Sequence, residues 1–329
     1  GDAHRHRKEL FLSLMAPESV DRLTDAFARE WQARLDVWER AGAVVLFPAV
    51  TGILTRAVCA WAGVPLTDAD AERRTREFAA MIDGAGAFGP RNWWGMMQRS
   101  RTERWAREVI ARIRARELEP PLGSAAHVIA WHREANGELL DPKIAAVELI
   151  NVLRPTVAVD RYVTFAALAL HQHPASRERL ARDDDAYLDA FVQEVRRLYP
   201  FFPGVGGRAL QAFEWRGERF AKGTWVLLDL YGTLHDPRTW AAPDAFRPER
   251  FLDRAPTAHD LIPQGGGEHA TGHRCAGEWI TIALMKEAVR LLTGDMRYDV
   301  PPQDLDVSLS RMPAIPRSRF VIANVRAGR

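Results

Sequence analysis

The feature that most limits how this chain can fold is an apolar run from Asp141 to about His171, in which hydrophobic residues recur with helical spacing. As one helix of about 30 residues it would measure roughly 45 Å, enough to cross a whole domain. Four charged side chains interrupt the run, and each would cost about 3 kcal/mol in the centre of a bilayer. We therefore expect a helix buried at the centre of a globular protein, and no membrane span.

The overall composition excludes several other classes of protein. The 329 residues are 47% hydrophobic and 27% charged, which is typical of a globular chain and not of a disordered, collagen-like or coiled-coil one. The formal net charge of +2 gives no drive towards nucleic acid or acidic membranes, so no nucleic-acid partner is expected. The two cysteines, Cys59 and Cys275, cannot form a disulfide framework, which favours a reducing compartment such as the cytoplasm.

The order of patterns along the chain predicts a mainly α-helical fold with a minor β part, formed as a single domain over residues 1–329. Helical spacing covers the first two thirds and includes one helix from Ala43 to Gly63. The last third contains short β-rich runs, a coil dense in Pro and Gly, a helix from about Ala276 to Leu292, and a final strand in RFVIANV. Because the chain begins without Met, we also expect an N-terminal segment to be missing.

Cys275 is the first candidate functional residue, because it lies between a Gly-rich loop and a helix in GHRCAGEWITIALMKEAV. Backbone N–H groups and the positive end of a helix dipole stabilise a thiolate at such a junction and are expected to lower the pKa of the thiol. The thiolate is the form of cysteine that binds metal. The alternative is a small buried hydrophobic residue, which is the interpretation we prefer for Cys59 in TRAVCAWAG.

A second candidate is a charged pair in QEVRR. Glu194 and Arg197 are three residues apart on one helical face, so they can form an ion pair. On a protein surface such a pair contributes little to stability. Further along the chain, FRPERF supplies Arg250 as a possible third member of a buried charged triad.

The order of these motifs resembles the cytochrome P450 haem-thiolate superfamily, with Glu-x-x-Arg on a helix, then Pro-Glu-Arg-Phe in a coil, then His-x-Cys-x-Gly in a Gly-rich loop. Three stretches, ELINVLRPTVAV, FVQEVRRLYPFFPGVGG and IPQGGGEHATGHRCAGEWIT, resemble its bacterial fatty-acid peroxygenase branch, and the likeness covers essentially the whole chain. The resemblance implies the cytochrome P450 fold, with a long central helix over haem b and a cysteine loop beneath it. It also implies that Cys275 is the axial iron ligand and that Glu194, Arg197 and Arg250 have a structural role.

The haem propionates need cationic partners, and the resemblance places three candidates at the haem. His4 and Lys8 are four residues apart on the first helix, so they face the same way, and His273 lies two residues before Cys275. The alternative for HRHRK is a basic turn exposed to solvent.

Two departures from the superfamily pattern bear on the chemistry. Most members have Phe seven residues and Gly four residues before the cysteine, where this chain has Glu268 and Thr271. Oxygen-activating members usually carry an acid–alcohol pair midway along the central helix, where this chain reads LRPT, with Arg154 followed by Pro155.

Arg154 has no carboxylate three or four residues away on its own helix. A buried guanidinium without a partner costs several kcal/mol, so we expect an anion to reach it. Pro155 removes a backbone donor and frees the carbonyl of Asn151, which bends or opens the helix beside it. The alternatives are a distant acidic side chain or an arginine that reaches solvent.

A long-chain fatty acid fits this arrangement, because its carboxylate can pair with Arg154 while its chain fills an apolar pocket. We expect hydrogen peroxide to serve as the oxidant without a redox partner, with the substrate carboxylate as proton relay and hydroxylation at the α or β carbon. Arg154 and Pro155 are then the catalytic candidates, and Phe201 a further substrate contact. Other hypotheses are decarboxylation to a terminal alkene, a reductase-dependent monooxygenase, and a haem or lipid carrier without catalysis.

Overall fold

α-Helices carry most of the chain in the computed structural model, which describes residues 2–182 and 184–328 and, in the first helix, the side chains from residue 5 onwards. The mainly helical fold expected from the sequence is confirmed. The helices are α1 (Asp2–Ser13), α2 (Pro17–Ala41), α3 (Leu46–Ala62), α4 (Asp68–Gly84), α5 (Pro90–Arg114), α6 (Ala125–Trp131), α7 (Pro142–Val157), α8 (Asp160–Gln172), α9 (Pro174–Leu180), α10 (Asp185–Leu198), α11 (Leu230–Leu234) and α12 (Glu278–Arg290).

Local signals explain where several of these helices begin and end. Thr67 Oγ1 accepts a hydrogen bond from the N–H of Asp70 at 3.2 Å and so caps α4. Gly63 ends α3 with a φ of +79°, a left-handed conformation that glycine adopts without steric cost. Proline occupies the first turn of α2, α5, α7 and α9, where its missing N–H costs no hydrogen bond.

Short strands form three small antiparallel sheets in the described residues. One sheet has the order β1–β7–β6, the second pairs β2 with β5, and the hairpin β3–β4 lies between β2 and β5 along the chain. Their bounds are β1 (Ala43–Val45), β2 (Gly204–Arg208), β3 (Phe213–Trp215), β4 (Glu218–Phe220), β5 (Trp225–Asp229), β6 (Met296–Asp299) and β7 (Val321–Ala327).

Strand β1 corrects the expectation of a helix that begins at Ala43. Residues 43–45 pair with residues 321–323 of β7, and α3 begins only at Leu46. Val44 and Val45 are β-branched, and such residues favour a strand once a partner strand is available. The predicted strand in RFVIANV supplies that partner.

The central apolar run is two helices, so the expectation of one helix from Asp141 to about His171 is wrong. Helix α7 ends at Val157 and α8 begins at Asp160, with a short turn between them. Both helices are lined by buried apolar residues, so the central, buried position of the run is as expected.

The break between α7 and α8 follows from Pro155, which lies five residues before the start of α8. Pro155 has no N–H and cannot donate to the carbonyl of Asn151. The N–H of Val159 then donates to the carbonyl of Thr156 at 3.2 Å. This bond spans three residues, as in a 3₁₀ turn, whereas the bonds of an α-helix span four.

Helices α2, α3, α8, α10 and α12 pack around one large apolar core. Its largest fully buried aromatic side chains include Trp31, Phe27, Phe78, Phe165, Phe191 and Phe320. Across residues 2–182 and 184–328, no helix is both long enough and apolar enough to span a lipid bilayer.

Candidate active site

Cys275 lies at the end of a tight loop that we call the cysteine loop (residues 264–277). The loop closes on itself, because the N–H of Cys275 donates to the carbonyl of Gln264 at 3.0 Å. Gly265 adopts a φ of +89°, where a side chain would be strained, and a Cβ there would lie 3.4 Å from the backbone of Arg274. The sequence prediction that Cys275 lies between a Gly-rich loop and a helix is confirmed, since α12 begins at Glu278.

The electrostatic environment of the Cys275 sulphur contains opposing contributions. Burial is the largest and raises the pKa of the thiol, while hydrogen bonds from the Gly277 N–H and the Gln264 side chain favour the thiolate and lower it. The net direction is upwards, so the expectation of a lowered thiol pKa is wrong. A metal ion deprotonates a coordinating thiol outright, so a ligand role does not depend on that shift.

Glu194, Arg197 and Arg250 come together beneath the core. The carboxylate of Glu194 is fully buried and accepts hydrogen bonds from Arg197 Nε at 2.8 Å and Nη2 at 2.9 Å. Arg250 Nε lies 3.2 Å from the same carboxylate, and the backbone N–H of Arg247 donates to it at 2.8 Å. Arg197 also donates to the carbonyl of Leu234 at 2.8 Å, so the cluster ties α10 to the coil that precedes the cysteine loop.

A second buried charged cluster anchors the cysteine loop itself, and the sequence analysis missed it. Glu278, at the start of α12, pairs with Arg196 of α10 and with Arg274 of the loop, whose Nη2 lies 3.0 Å from Glu278 Oε1. Arg196 Nη2 also donates to Gln264 Oε1 at 3.1 Å. The four-residue spacing of Arg274 and Glu278 was the available signal, but spacing alone could not show that Arg196 faces them.

Arg154 projects from α7, is half-buried, and has no acidic partner among the described residues. Within residues 2–182 and 184–328, no group forms a hydrogen bond or ion pair with its guanidinium. Burial, and secondarily the nearby Arg99, lowers the pKa of Arg154, which reflects a cation held in an unfavourable environment. On the same side of the helix, Asn151 and Pro155 are exposed, so α7 presents an open face at this point.

Helix α1 connects that face of α7 with the cysteine loop. Arg7 pairs with Glu148 of α7, while the next residue, Lys8, donates to the carbonyls of Gly272 at 2.6 Å and Arg274 at 2.9 Å. Lys8 is only 6% exposed, and burial lowers the pKa of its ammonium group.

Of the other two cations expected at the haem, only His273 has a described side chain. His273 lies on the same loop and is exposed to solvent. His4 belongs to α1, but its side chain falls outside the described residues.

Phe201 follows α10 and lies at the edge of the core. Its ring is half-buried and packs against Tyr162 of α8, with ring centroids 5.1 Å apart. Tyr162 is fully buried, and its hydroxyl has no hydrogen-bond partner among the described residues. Burial raises the pKa of that hydroxyl, and the nearby Cys275 and Glu278 raise it further.

Comparison with known proteins accounts for this arrangement. The sequence model described as cytochrome P450 matches residues 178–304, which contain the Glu194 cluster and the cysteine loop.

Solved structures match over essentially the whole chain. Cytochrome P450SP alpha (CYP152B1) in complex with (R)-ibuprophen is 51% identical, with a TM-score of 0.95 over 99% of this chain and 80% of that one. Cytochrome P450EX alpha (CYP152N1) with myristic acid is 42% identical, with a TM-score of 0.95 over 100% of this chain and 79% of that one. A variant of cytochrome P450 OleT in complex with arachidonic acid is 37% identical, with a TM-score of 0.93 over 99% of this chain and 78% of that one.

The cysteine loop fits the haem-thiolate group that these structures imply. Cys275 supplies a single sulphur ligand, which is what a haem iron needs from the protein in a haem-thiolate site. Two hydrogen-bond donors already point to its sulphur. A Cβ at Gly277 would lie 4.0 Å from that sulphur, so this glycine is a close neighbour of the sulphur.

Proposed function

We propose a peroxygenase reaction for this chain, which belongs to the cytochrome P450 superfamily and, within it, groups with the CYP152 haem-thiolate oxidoreductases that act on fatty acids. In the proposal, Cys275 is the axial ligand of haem b and a long-chain fatty acid is the substrate. Hydrogen peroxide is the oxidant, and the α or β carbon of the acid is hydroxylated.

The unpaired guanidinium of Arg154 is the observation that carries the proposal. A cation that is partly removed from water loses hydration free energy, and without a counter-charge nothing in the protein offsets that loss. An anionic ligand would offset it. The described side chains supply no carboxylate to do so, because Glu148 on the same helix is already paired with Arg7 and bonded to Asn151 at 3.1 Å. The remaining candidate is an anion that arrives with the substrate.

A carboxylate matches this requirement better than other anions. The planar guanidinium of Arg154 can donate two parallel hydrogen bonds to the two oxygens of a carboxylate, which fixes orientation as well as position. Pro155 supports the arrangement, since it lacks the N–H that would extend the helix ladder at this face. The substrate head group is then fixed while its chain remains free to follow apolar side chains such as Phe201.

The same carboxylate supplies an acid–base group that α7 lacks at this position. Cleavage of the O–O bond of peroxide requires one oxygen to lose a proton and the other to gain it. A carboxylate held by Arg154 can accept the first proton and return it to the second oxygen. When bound, the haem supplies the iron chemistry, and a cysteine thiolate ligand favours O–O cleavage.

Anchoring at the head group also determines which carbons react. The carbons nearest the carboxylate have the fewest rotatable bonds between them and the anchor, so they are the most precisely positioned. Hydroxylation at the α or β carbon follows, and distal carbons are disfavoured.

The ligands of the similar structures support a fatty-acid substrate. One of them contains myristic acid and another arachidonic acid, so proteins of this fold that are 37–42% identical to this chain accept long acyl chains.

Hydrogen peroxide supplies the oxygen atom that is inserted and also the oxidising equivalents. The proposed reaction therefore needs no redox partner. Two unpaired cysteines suit a reducing compartment, and we place the reaction in the cytoplasm.

Replacement of Arg154 tests the proposal. The parent protein, loaded with haem, is incubated with myristate and hydrogen peroxide without NAD(P)H or a reductase, and products are identified by gas chromatography with mass spectrometry. Arg154→Ala should reduce turnover by at least about a hundredfold while haem content is unchanged, because loss of a bidentate charged contact costs about 3 kcal/mol or more. Arg22→Ala, an exposed arginine on α2, is the matched control.

Three results would contradict parts of the proposal. Unchanged turnover of Arg154→Ala would remove the role of Arg154. A terminal alkene as main product would replace hydroxylation by decarboxylation. Activity that requires NAD(P)H and redox partners, and is absent with peroxide, would make the chain a monooxygenase.

A further inference from the structure

Helices α4 and α5 form an antiparallel pair with a groove along its outer side, which we call the α4–α5 groove. Its cavity volume is about 990 Å³, and it contains neither Arg154 nor Cys275. Its walls are formed mainly by charged and aromatic side chains from the two helices, including Arg73, Arg74, Trp94, Arg101, Arg104 and Trp105. The groove is therefore separate from the candidate active site.

Three of the four carboxylates that line the groove have hydrogen-bond partners among the described residues. Asp70 accepts a hydrogen bond from Thr67 Oγ1 at 2.7 Å in the cap of α4. Glu77 accepts one from Thr102 at 2.8 Å. Asp83 is held by Arg161, at 2.5 Å from its Nη2. Glu77 also pairs with Arg74 of the groove at 2.7 Å. The groove is nevertheless lined by six arginines and only four carboxylates, so positive charge is in excess there.

Several arginines of the groove, by contrast, are not neutralised. Arg73 and Arg76 on α4 and Arg104 on α5 form no hydrogen bond or ion pair with any residue that the structure describes. Arg101 makes one long contact, 3.4 Å to Gln98. These four arginines are exposed, so together they form a patch of positive charge that attracts anions.

Arg74 provides an independent second observation. It is only 4% exposed, and its guanidinium lies over the ring of Trp105, 4.9 Å from the centroid. It contacts Glu77 at 2.7 Å, yet its Nε is buried without a hydrogen-bond partner. Arg74 therefore adds a buried positive charge, offset by Glu77, beneath the exposed arginines of the groove.

We propose that the α4–α5 groove binds a multivalent phosphoryl anion, with nucleoside polyphosphates as the preferred class. Arginine is suited to phosphate because its planar guanidinium donates paired hydrogen bonds to two oxygens. A chain of phosphoryl groups presents such oxygens to Arg73, Arg76 and Arg104 at once, which a monovalent anion cannot do. Trp94 is 52% exposed and offers a flat aromatic face for the base.

Binding of inorganic tripolyphosphate and of adenosine triphosphate to the haem-loaded protein tests the proposal by isothermal titration calorimetry at constant ionic strength. The double variant Arg73→Gln/Arg104→Gln should weaken the binding of both anions by at least about tenfold, because it removes two charge-assisted contacts. The double variant Arg22→Gln/Arg40→Gln changes the net charge equally on exposed positions of α2 and should bind like the parent. Trp94→Ala should remove any advantage of adenosine triphosphate while leaving the affinity for tripolyphosphate unchanged.

Absence of saturable tripolyphosphate binding to the parent, or equal weakening in the two double variants, would overturn the proposal. Equal affinity of the parent for adenosine triphosphate and tripolyphosphate would overturn the preference for nucleotides. Arg73 and Arg104 are exposed and form no hydrogen bond or ion pair with the described residues, so peroxide-driven turnover of myristate should be the same in all variants. Since the readout is binding, it remains decisive even if that turnover is absent from the parent.

Discussion

The carboxylate of Asp160 accepts a hydrogen bond from Thr51 Oγ1 at 2.8 Å, and this bond joins α8 to α3 at the break in the central run. Asp160 is fully buried, and Arg161, itself fully buried, lies with its Nη1 3.0 Å from the same carboxylate. Burial outweighs these favourable contacts and raises the pKa of Asp160 to about 6. The acid therefore titrates close to neutrality.

Replacement of Asp160 by Asn should change how stability depends on pH. The folded protein holds the Asp160 proton up to about pH 6, while the unfolded chain releases it near pH 4, so the free energy of unfolding falls as pH rises through this window. Asn does not titrate. We expect the stability of the parent relative to Asp160→Asn to fall by roughly 2 kcal/mol between pH 4 and pH 7, measured by denaturant unfolding with circular dichroism.

Thr51→Val provides the companion measurement for Asp160. It removes a hydrogen bond that favours the carboxylate, so the fall in stability should extend to higher pH. A stability difference between parent and Asp160→Asn that does not vary with pH would contradict the raised pKa.

Glu194→Gln should be among the most destabilising single changes in the chain. The carboxylate is completely buried between Arg197 and Arg250, and its loss leaves a buried guanidinium without a counter-charge. The expected decrease in the free energy of unfolding is about 3–5 kcal/mol. Glu214→Gln, in an exposed pair with Arg219 at 3.8 Å, is the control and should cost less than about 1 kcal/mol. A decrease below 1 kcal/mol for Glu194→Gln would mean that the cluster does not support the fold.

Replacement of the two cysteines should have opposite effects on the haem spectrum. Cys275→Ser should abolish the spectrum typical of a thiolate-ligated ferrous carbon-monoxide complex, whereas Cys59→Ser should retain it. Cys59 is 1% exposed, and burial raises its pKa to about 12, so it should resist alkylation by iodoacetamide at pH 8 in the folded protein. A parent protein that never shows the thiolate spectrum would refute Cys275 as ligand.

Lys8→Met should weaken the retention of haem. The buried ammonium group holds two carbonyls of the cysteine loop, and charged hydrogen bonds of this kind contribute about 1.5–3 kcal/mol each. We expect haem transfer to apomyoglobin to accelerate about tenfold or more, with the exposed Lys222→Met as control. His4→Ala and His273→Ala in the same assay test the other two predicted propionate partners. If all three variants transfer haem to apomyoglobin at the rate of the parent, the predicted haem contacts are contradicted.

Much of the fold could be predicted because its signals are local. Helical periodicity, the Thr67 cap and the Gly63 terminus each depend on residues within one or two turns of each other. The same holds for the motifs around Glu194 and Cys275, whose order along the chain indicated the family. Such short-range patterns are visible in a single sequence.

The features that escaped prediction depend on distant partners. Residues 43–45 became a strand because β7 lies beside them, although 276 residues separate Val45 from Val321. The break before Asp160 is stabilised by Thr51, more than 100 residues earlier. The raised pKa of Cys275 likewise results from burial by the whole fold, whereas the sequence showed only the adjacent helix terminus.

The adjacent positions of Arg7 and Lys8 on α1 have a mechanical consequence. Neighbouring side chains on a helix diverge by about 100° around its axis, so one holds Glu148 while the other holds the carbonyls of residues 272 and 274. A rotation or shift of α1 would break at least one of these attachments. The first helix therefore fixes the distance between α7, which carries Arg154, and the cysteine loop.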